Sequence, residues 1–106
     1  MNFYDLFTTM GINVGVEECR ANPDAVLLDV RPKPEYDSGH IPGSVNIPWR
    51  ELGRVLREYP DTARPFYVCC KNGGHSRQAV TLMKRLGYKN VSNIGGIRRY
   101  RGELER

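Results

Sequence analysis

The sequence predicts an α/β domain built on a small parallel sheet with helices on both faces. Two observations lead there. Ala25 to Val30 and Phe66 to Cys70 are short apolar runs of strand length, as expected for strands covered on both sides, and Val91 to Ile94 reads as a further strand. Stretches with apolar residues at helical spacing lie between them, so strands alternate with helices. In sheets of this kind ligands bind beyond the carboxyl ends of the strands.

From the N-terminus, Phe3, Leu6, Phe7 and Met10 recur at helical spacing and predict a short amphipathic helix ending at Gly11. Ile12 to Val14 reads as a short strand, and Val16 to Ala21 as a short helix that buries Val16 and Cys19. Asn22, Pro23 and Asp24 form a turn into the first long apolar run, which is broken only by Asp29. A carboxylate there needs buried partners, and a structural acceptor role is the simplest reading. Arg31 to Ser44 is rich in Pro and Gly and has room for one helical turn around Glu35 to Ser38.

After the brief apolar stretch Val45 to Ile47, Pro48 suits a first helical position. Trp49, Leu52, Val55, Leu56 and Tyr59 then fall on one helical face, and Pro60 ends the helix. Later, Ala79, Leu82, Met83 and Leu86 trace a buried stripe, with Gly87 as terminator.

At 106 residues the chain is long enough for one hydrophobic core and too short for two. No apolar stretch approaches the length of a membrane span, and the first residues lack the basic start of a signal peptide. Three cysteines, Cys19, Cys69 and Cys70, are an odd number with two adjacent, which fits a reducing compartment; the expected location is cytoplasmic. With only His40 and His75 as histidines and no paired Cys-x-x-Cys, no metal site is expected. The net charge of +4 suits an anionic substrate, and the small cluster Arg98, Arg99 and Arg101, interleaved with Glu103 and Glu105, reads as a solvated face rather than a nucleic-acid site.

The stretch that carries chemistry is Cys70-Lys71-Asn72-Gly73-Gly74-His75-Ser76-Arg77, between a strand and a helix. The first turn of a helix leaves backbone N–H groups unpaired and presents the positive end of the helix dipole, so an anion is favoured there. Gly73 and Gly74 allow the loop to curl its amides inward, and Lys71, His75 and Arg77 add cationic character. Such surroundings favour a nucleophilic thiolate at Cys70. Cys69 falls on the other side of its strand and reads as a buried residue.

With these residues in hand, the chain resembles the single-domain rhodaneses, a sulfurtransferase family, from Ile12 to about Tyr100. The resemblance rests on Leu28-Asp29-Val30-Arg31 with Glu35-Tyr36, on Gly39-His40-Ile41-Pro42-Gly43-Ser44-Val45-Asn46-Ile47-Pro48, on the cysteine that ends a later strand, and on Gly95-Gly96-Ile97. It implies a rhodanese-like domain over 12–106, preceded by the amphipathic segment that helical spacing predicts over residues 1–11. The family's loop reads Cys-x-x-Gly-x-Arg-Ser, with which Cys70, Gly73 and Ser76 are in register, while His75 stands in place of the usual arginine.

By that resemblance Cys70 is the sulfur carrier. Lys71, Asn72, Gly73, Gly74, His75 and Ser76 form the substrate-binding loop. On the residues themselves, Asp29 and Arg31 read as support for the strand end and the neighbouring loops, and His40 as a structural residue held by a hydrogen bond. The implied reaction moves sulfane sulfur from a donor such as thiosulfate to cyanide or a cellular thiol through a Cys70 persulfide, without metal or organic cofactor. The short loop implies an open site that a protein thiol could reach; neither nucleic acid nor membrane is expected as a partner.

Two rivals follow from the same residues. A cysteine phosphatase or arsenate reductase would carry Cys, five residues, then Arg; here Ser76 stands at that position and Arg77 one later. A non-catalytic binding or regulatory module would need neither Cys70 nor the glycine loop.

Overall fold

The computed structural model describes residues 11–106. The predicted N-terminal helix through Met10 lies outside them. Four parallel strands, β1 (Val26–Asp29), β2 (Val45–Asn46), β3 (Phe66–Cys70) and β4 (Val91–Gly96), form one sheet in the order β2-β1-β3-β4. β3 therefore has a neighbour on each side, and its end is held by both. The helices are α1 (Ile12–Arg20), α2 (Lys33–Ser38), α3 (Val55–Glu58) and α4 (Gly74–Arg85), with 3-10 turns at Trp49–Arg54 and Ile97–Arg99.

Both faces of the sheet are covered, as the apolar strands require. On one side Leu28, Val68 and Cys70 pack with Leu52, Val55, Ala79, Met83 and Tyr88, which come from α3, α4 and their flanking segments. On the other, Leu27, Tyr67, Cys69 and Ile94 pack with Ile12, Val16 and Cys19 of α1 and with Ile41. Phe66 and Tyr88 meet edge to face at 5.4 Å, a favoured aromatic geometry. Tyr67 pins α1 to β3 by donating its hydroxyl to Glu18 at 2.8 Å.

Three local readings differ from the structure. Ile12 to Val14 is the start of α1 rather than a strand. β-branched residues there favoured the strand reading, but Ile12, Gly15, Val16 and Cys19 form one buried stripe at helical spacing, and packing of that stripe against β4 overrides local preference. The helix after Pro48 is split into a 3-10 turn and the short α3, with Glu51 outside helical geometry, so the face drawn from a single 3.6-residue period breaks down and Leu56 is 49% exposed. In α4 the buried set is Ser76, Ala79, Val80 and Met83, while Leu82 is 42% exposed. The buried stripe is thus turned toward Ser76, which the strand end draws inward. Gly87, at φ +103°, terminates α4 in the left-handed conformation open to glycine.

Candidate active site

β3 delivers Cys70 to the rim of the sheet, and four residues later α4 begins at Gly74. Gly73 makes the turn at φ +99°, a conformation that a side chain would strain. Its N–H donates to Cys70 Sγ at 2.9 Å. The sulfur therefore sits at the amino end of α4, where unpaired N–H groups and the helix dipole favour negative charge. Sequence reasoning placed several inward amides here. The structure brings one of them onto the sulfur, while the Gly74 N–H is taken by Asn72 Oδ1 at 3.3 Å.

Behind the sulfur lies a polar pair of which sequence reasoning found only one member. The Ser76 hydroxyl donates to Asn93 Oδ1 at 2.7 Å, and its oxygen accepts from the Cys70 thiol at 3.3 Å. The Gly73 carbonyl, 3.1 Å from the same hydroxyl, is its alternative acceptor. Asn93 Oδ1 also accepts from the Gly95 N–H at 3.0 Å, across an irregularity in the β3–β4 register between Val68 and Cys69. The signal for Asn93 was available: a polar residue beside Ile94 in a strand of a sheet covered on both faces must find partners.

The remaining predicted loop residues separate into two groups. Ser76 and Cys70 are buried, whereas Lys71, Asn72, Gly74 and His75 form an exposed rim. His75 stacks on Trp49 at 4.8 Å, so the half-buried Trp49 bridges core and rim. Arg77 is exposed. Cys70 itself is only 1% exposed, so the expectation of an open site holds for the rim and not for the sulfur. Its bonds to Gly73 and Ser76 fold the side chain inward.

Asp29 and Arg31 are brought together as a buried pair, away from the sulfur. Both carboxylate oxygens of Asp29 accept from Arg31, the shortest contact being Nη2 to Oδ2 at 2.8 Å, and Nη2 also donates to the Gly39 carbonyl at 2.7 Å. Burial opposes the charged guanidinium, but hydrogen bonding and attraction by Asp29 outweigh it and hold the Arg31 pKa above its ordinary value. Asn46 Nδ2 closes the same corner on the carbonyls of Asp29 and Arg31, each at 2.9 Å. The pair ties the end of β1 to the Gly39 loop. His40 packs flat on Tyr36 at 3.9 Å, with Nδ1 2.9 Å from the Tyr36 carbonyl.

Cys69 is the opposite of its neighbour. It faces α1, is fully buried, and its thiol pKa is pushed well above the ordinary value by burial first and by the Asp29 charge second. Cys19 is raised likewise by burial. Among the described residues, no group of three or more His, Cys, Asp or Glu side chains could hold a metal ion.

A buried thiol thus stands at a strand end, under a glycine turn at a helix amino terminus, on a parallel α/β sheet. The chain belongs to the rhodanese-like domain family, whose match covers residues 16–103. It is 35% identical over 72 residues to the thiosulfate sulfurtransferase PspE of Escherichia coli, covering 67% of this chain and 69% of that protein. It is also 35% identical over 92 residues to the adenylyltransferase and sulfurtransferase UBA4 of Meyerozyma guilliermondii, covering 79% of this chain but only 22% of that much longer relative. Among solved structures, a rhodanese with anions from Escherichia coli superposes with a TM-score of 0.71 at 30% identity, over 77% of this chain and 98% of the other.

Proposed function

We propose that this protein is a sulfurtransferase that carries sulfane sulfur as a persulfide on Cys70, with thiosulfate as a donor and a thiol as the cellular acceptor. The observation that carries the reading is the Gly73 N–H, 2.9 Å from Cys70 Sγ at the head of α4. In the first step the Cys70 thiolate attacks the outer sulfur of thiosulfate. A new S–S bond forms, the donor's S–S bond breaks, and sulfite departs with the bonding pair. The Gly73 amide and the amino end of α4 stabilise negative charge on the persulfide, and Lys71 and His75 on the rim attract the anionic donor.

In the second step an acceptor thiolate attacks the outer sulfur, taking it as a persulfide and returning the Cys70 thiolate; cyanide in the same role leaves as thiocyanate. Two moderate steps replace one difficult transfer. The chain's own residues suffice, with no metal or organic cofactor. Sulfurtransferase relatives support the class, and three free cysteines suit the reducing cytoplasm that we propose as the compartment.

The phosphatase reading is weaker because Ser76, at the position where that reaction needs an arginine, is buried behind the sulfur while Arg77 is exposed. The test is the intact mass of the reduced protein after exposure to thiosulfate. The parent should gain one sulfur atom. No gain with thiosulfate or any other sulfane donor would remove the assignment and favour a non-catalytic binding module.

A further inference from the structure

A cavity of about 330 Å³ opens beside the reactive loop, lined by Lys71, Asn72, Gly96, Arg98 and Arg99. Three of its five lining residues are cationic, and none is a carboxylate. It adjoins the sulfur through the backbone: Gly96 pairs with Cys70 in the sheet, and Lys71 follows Cys70 in the chain.

The two arginines are presented from a fixed turn. The Arg98 N–H meets the Lys71 carbonyl at 3.4 Å, and the Tyr100 N–H donates to the Ile97 carbonyl at 3.0 Å. Asn13 of α1 clamps the other side, donating to the Arg99 carbonyl at 3.0 Å and accepting from the Arg101 N–H at 2.9 Å. Gly96 lets this turn close onto the loop, since a Cβ there would lie 2.5 Å from the Lys71 carbonyl oxygen and 2.6 Å from Asn72 Cα. By sequence Arg98 and Arg99 belong to a solvated face shared with Glu103 and Glu105. They are exposed, but they line the cavity with Lys71, while Glu105 reaches His40 instead, at 3.7 Å.

We propose that this cavity is a second anion subsite that docks the carboxylates of the sulfur acceptor, so that the preferred acceptor is an acidic peptide thiol. The inference rests on the sulfurtransferase reading. A cationic recess beside a transfer site raises the local concentration of an anionic partner and orients it, and the effect fades as salt shortens the Debye length. Transfer itself is the second step above: the acceptor thiolate takes the outer sulfur of the Cys70 persulfide, and the carboxylates stay in the cavity.

The experiment loads the protein with sulfur and compares release to Glu-Cys-Glu, Gln-Cys-Gln and Lys-Cys-Lys peptides at low salt and at high salt. The acidic peptide should react about tenfold faster than the neutral one at low salt, and about equally at high salt. Arg98→Ala/Arg99→Ala should bring that ratio to about one, whereas Arg98→Lys/Arg99→Lys should keep most of it, which separates charge from folding. Arg85→Gln, at the far end of α4, removes a like charge and should leave the ratio standing.

In parallel, NMR titration of the unloaded protein with Glu-Ser-Glu should move the backbone amides of Asn72, Gly96 and Arg98, and Gln-Ser-Gln should not. Equal rates for acidic and neutral peptides, or a preference that survives Arg98→Ala/Arg99→Ala, would overturn the proposal, as would a titration without shifts at those amides. If no donor loads Cys70, the sulfurtransferase reading fails, and the acceptor assignment with it; the titration then reports separately whether the cavity binds anions.

Discussion

Cys69 and Cys70 are adjacent in sequence and live in different chemical worlds. One faces α1 among aliphatic and aromatic side chains, and burial pushes its thiol pKa well above the ordinary value. The other faces α4, with a backbone amide on its sulfur and a serine hydroxyl behind it. Nothing in the residue type separates them. Strand alternation sends them to opposite faces, and only one face has a helix amino terminus waiting.

The sharpest way to break this contrast is to remove each thiol in turn. Cys70→Ser should abolish sulfur loading from thiosulfate, and Cys69→Ser should load normally; intact mass reads both. Loading on Cys69 in the Cys70→Ser protein would refute the division of roles.

The next largest effect should come from Gly96→Ala. Its Cβ would meet backbone of Lys71 and Asn72, which has little freedom to move aside, so the loop under Cys70 must shift. A displacement of about 1 Å at a reacting group costs on the order of 100-fold in rate, and the rate of sulfur loading should fall by that order. Gly43→Ala is the matched control: φ is +87° there, but the space is open, so it should lower stability by about 1 kcal/mol without touching loading.

Asn93→Leu probes the polar half of the contrast. It deprives the Ser76 hydroxyl and the Gly95 N–H of their shared acceptor. The Gly95 N–H is left unpaired while the Ser76 hydroxyl falls back on the Gly73 carbonyl, so the variant should lose about 1 kcal/mol in urea unfolding. A smaller cost in the double variant Asn93→Leu/Ser76→Ala than the two singles sum to would show that the pair acts as a unit.

The mildest effect concerns pH. Cys69 has a folded pKa above its unfolded value, so the folded state keeps a proton that the unfolded chain sheds near pH 8.5. Its stabilising contribution is present below that pH and is lost progressively as pH rises toward the folded pKa, at up to about 1.4 kcal/mol per pH unit. Urea midpoints measured from pH 8 to 10 should decline less steeply in Cys69→Ala than in the parent, and an identical slope would mean that the thiol is not sealed as described.

The architecture was legible because it depends on runs and periods: apolar strands of the right length, helical spacing between them, and a glycine turn where β3 meets α4. The loop residues from Cys70 to Ser76 were legible for the same reason, being contiguous. What escaped is what depends on distant segments meeting. Asn93 reaches Ser76 across 17 positions, and Asn13 reaches the turn at Arg99 across 86. Neither has a local signature beyond polarity in an unexpected place. Ile12 to Val14 differs from its local reading because two β-branched residues favour a strand there, while the stripe that decides the matter spans eight residues from Ile12 to Cys19.

The irregularity in β4 acts as a phase slip in a two-beat pattern. Before it, Asn93 stands opposite Val68; after it, Gly96 rather than residue 95 stands opposite Cys70. Odd positions look toward the sulfur side on one stretch and even positions on the next. One strand thereby contributes a hydrogen-bond acceptor and a bare stretch of backbone to the same side of the sheet, three residues apart, which strict alternation would have forbidden. Without the slip, residue 95 would stand opposite Cys70, and Gly96 would face away from the sulfur.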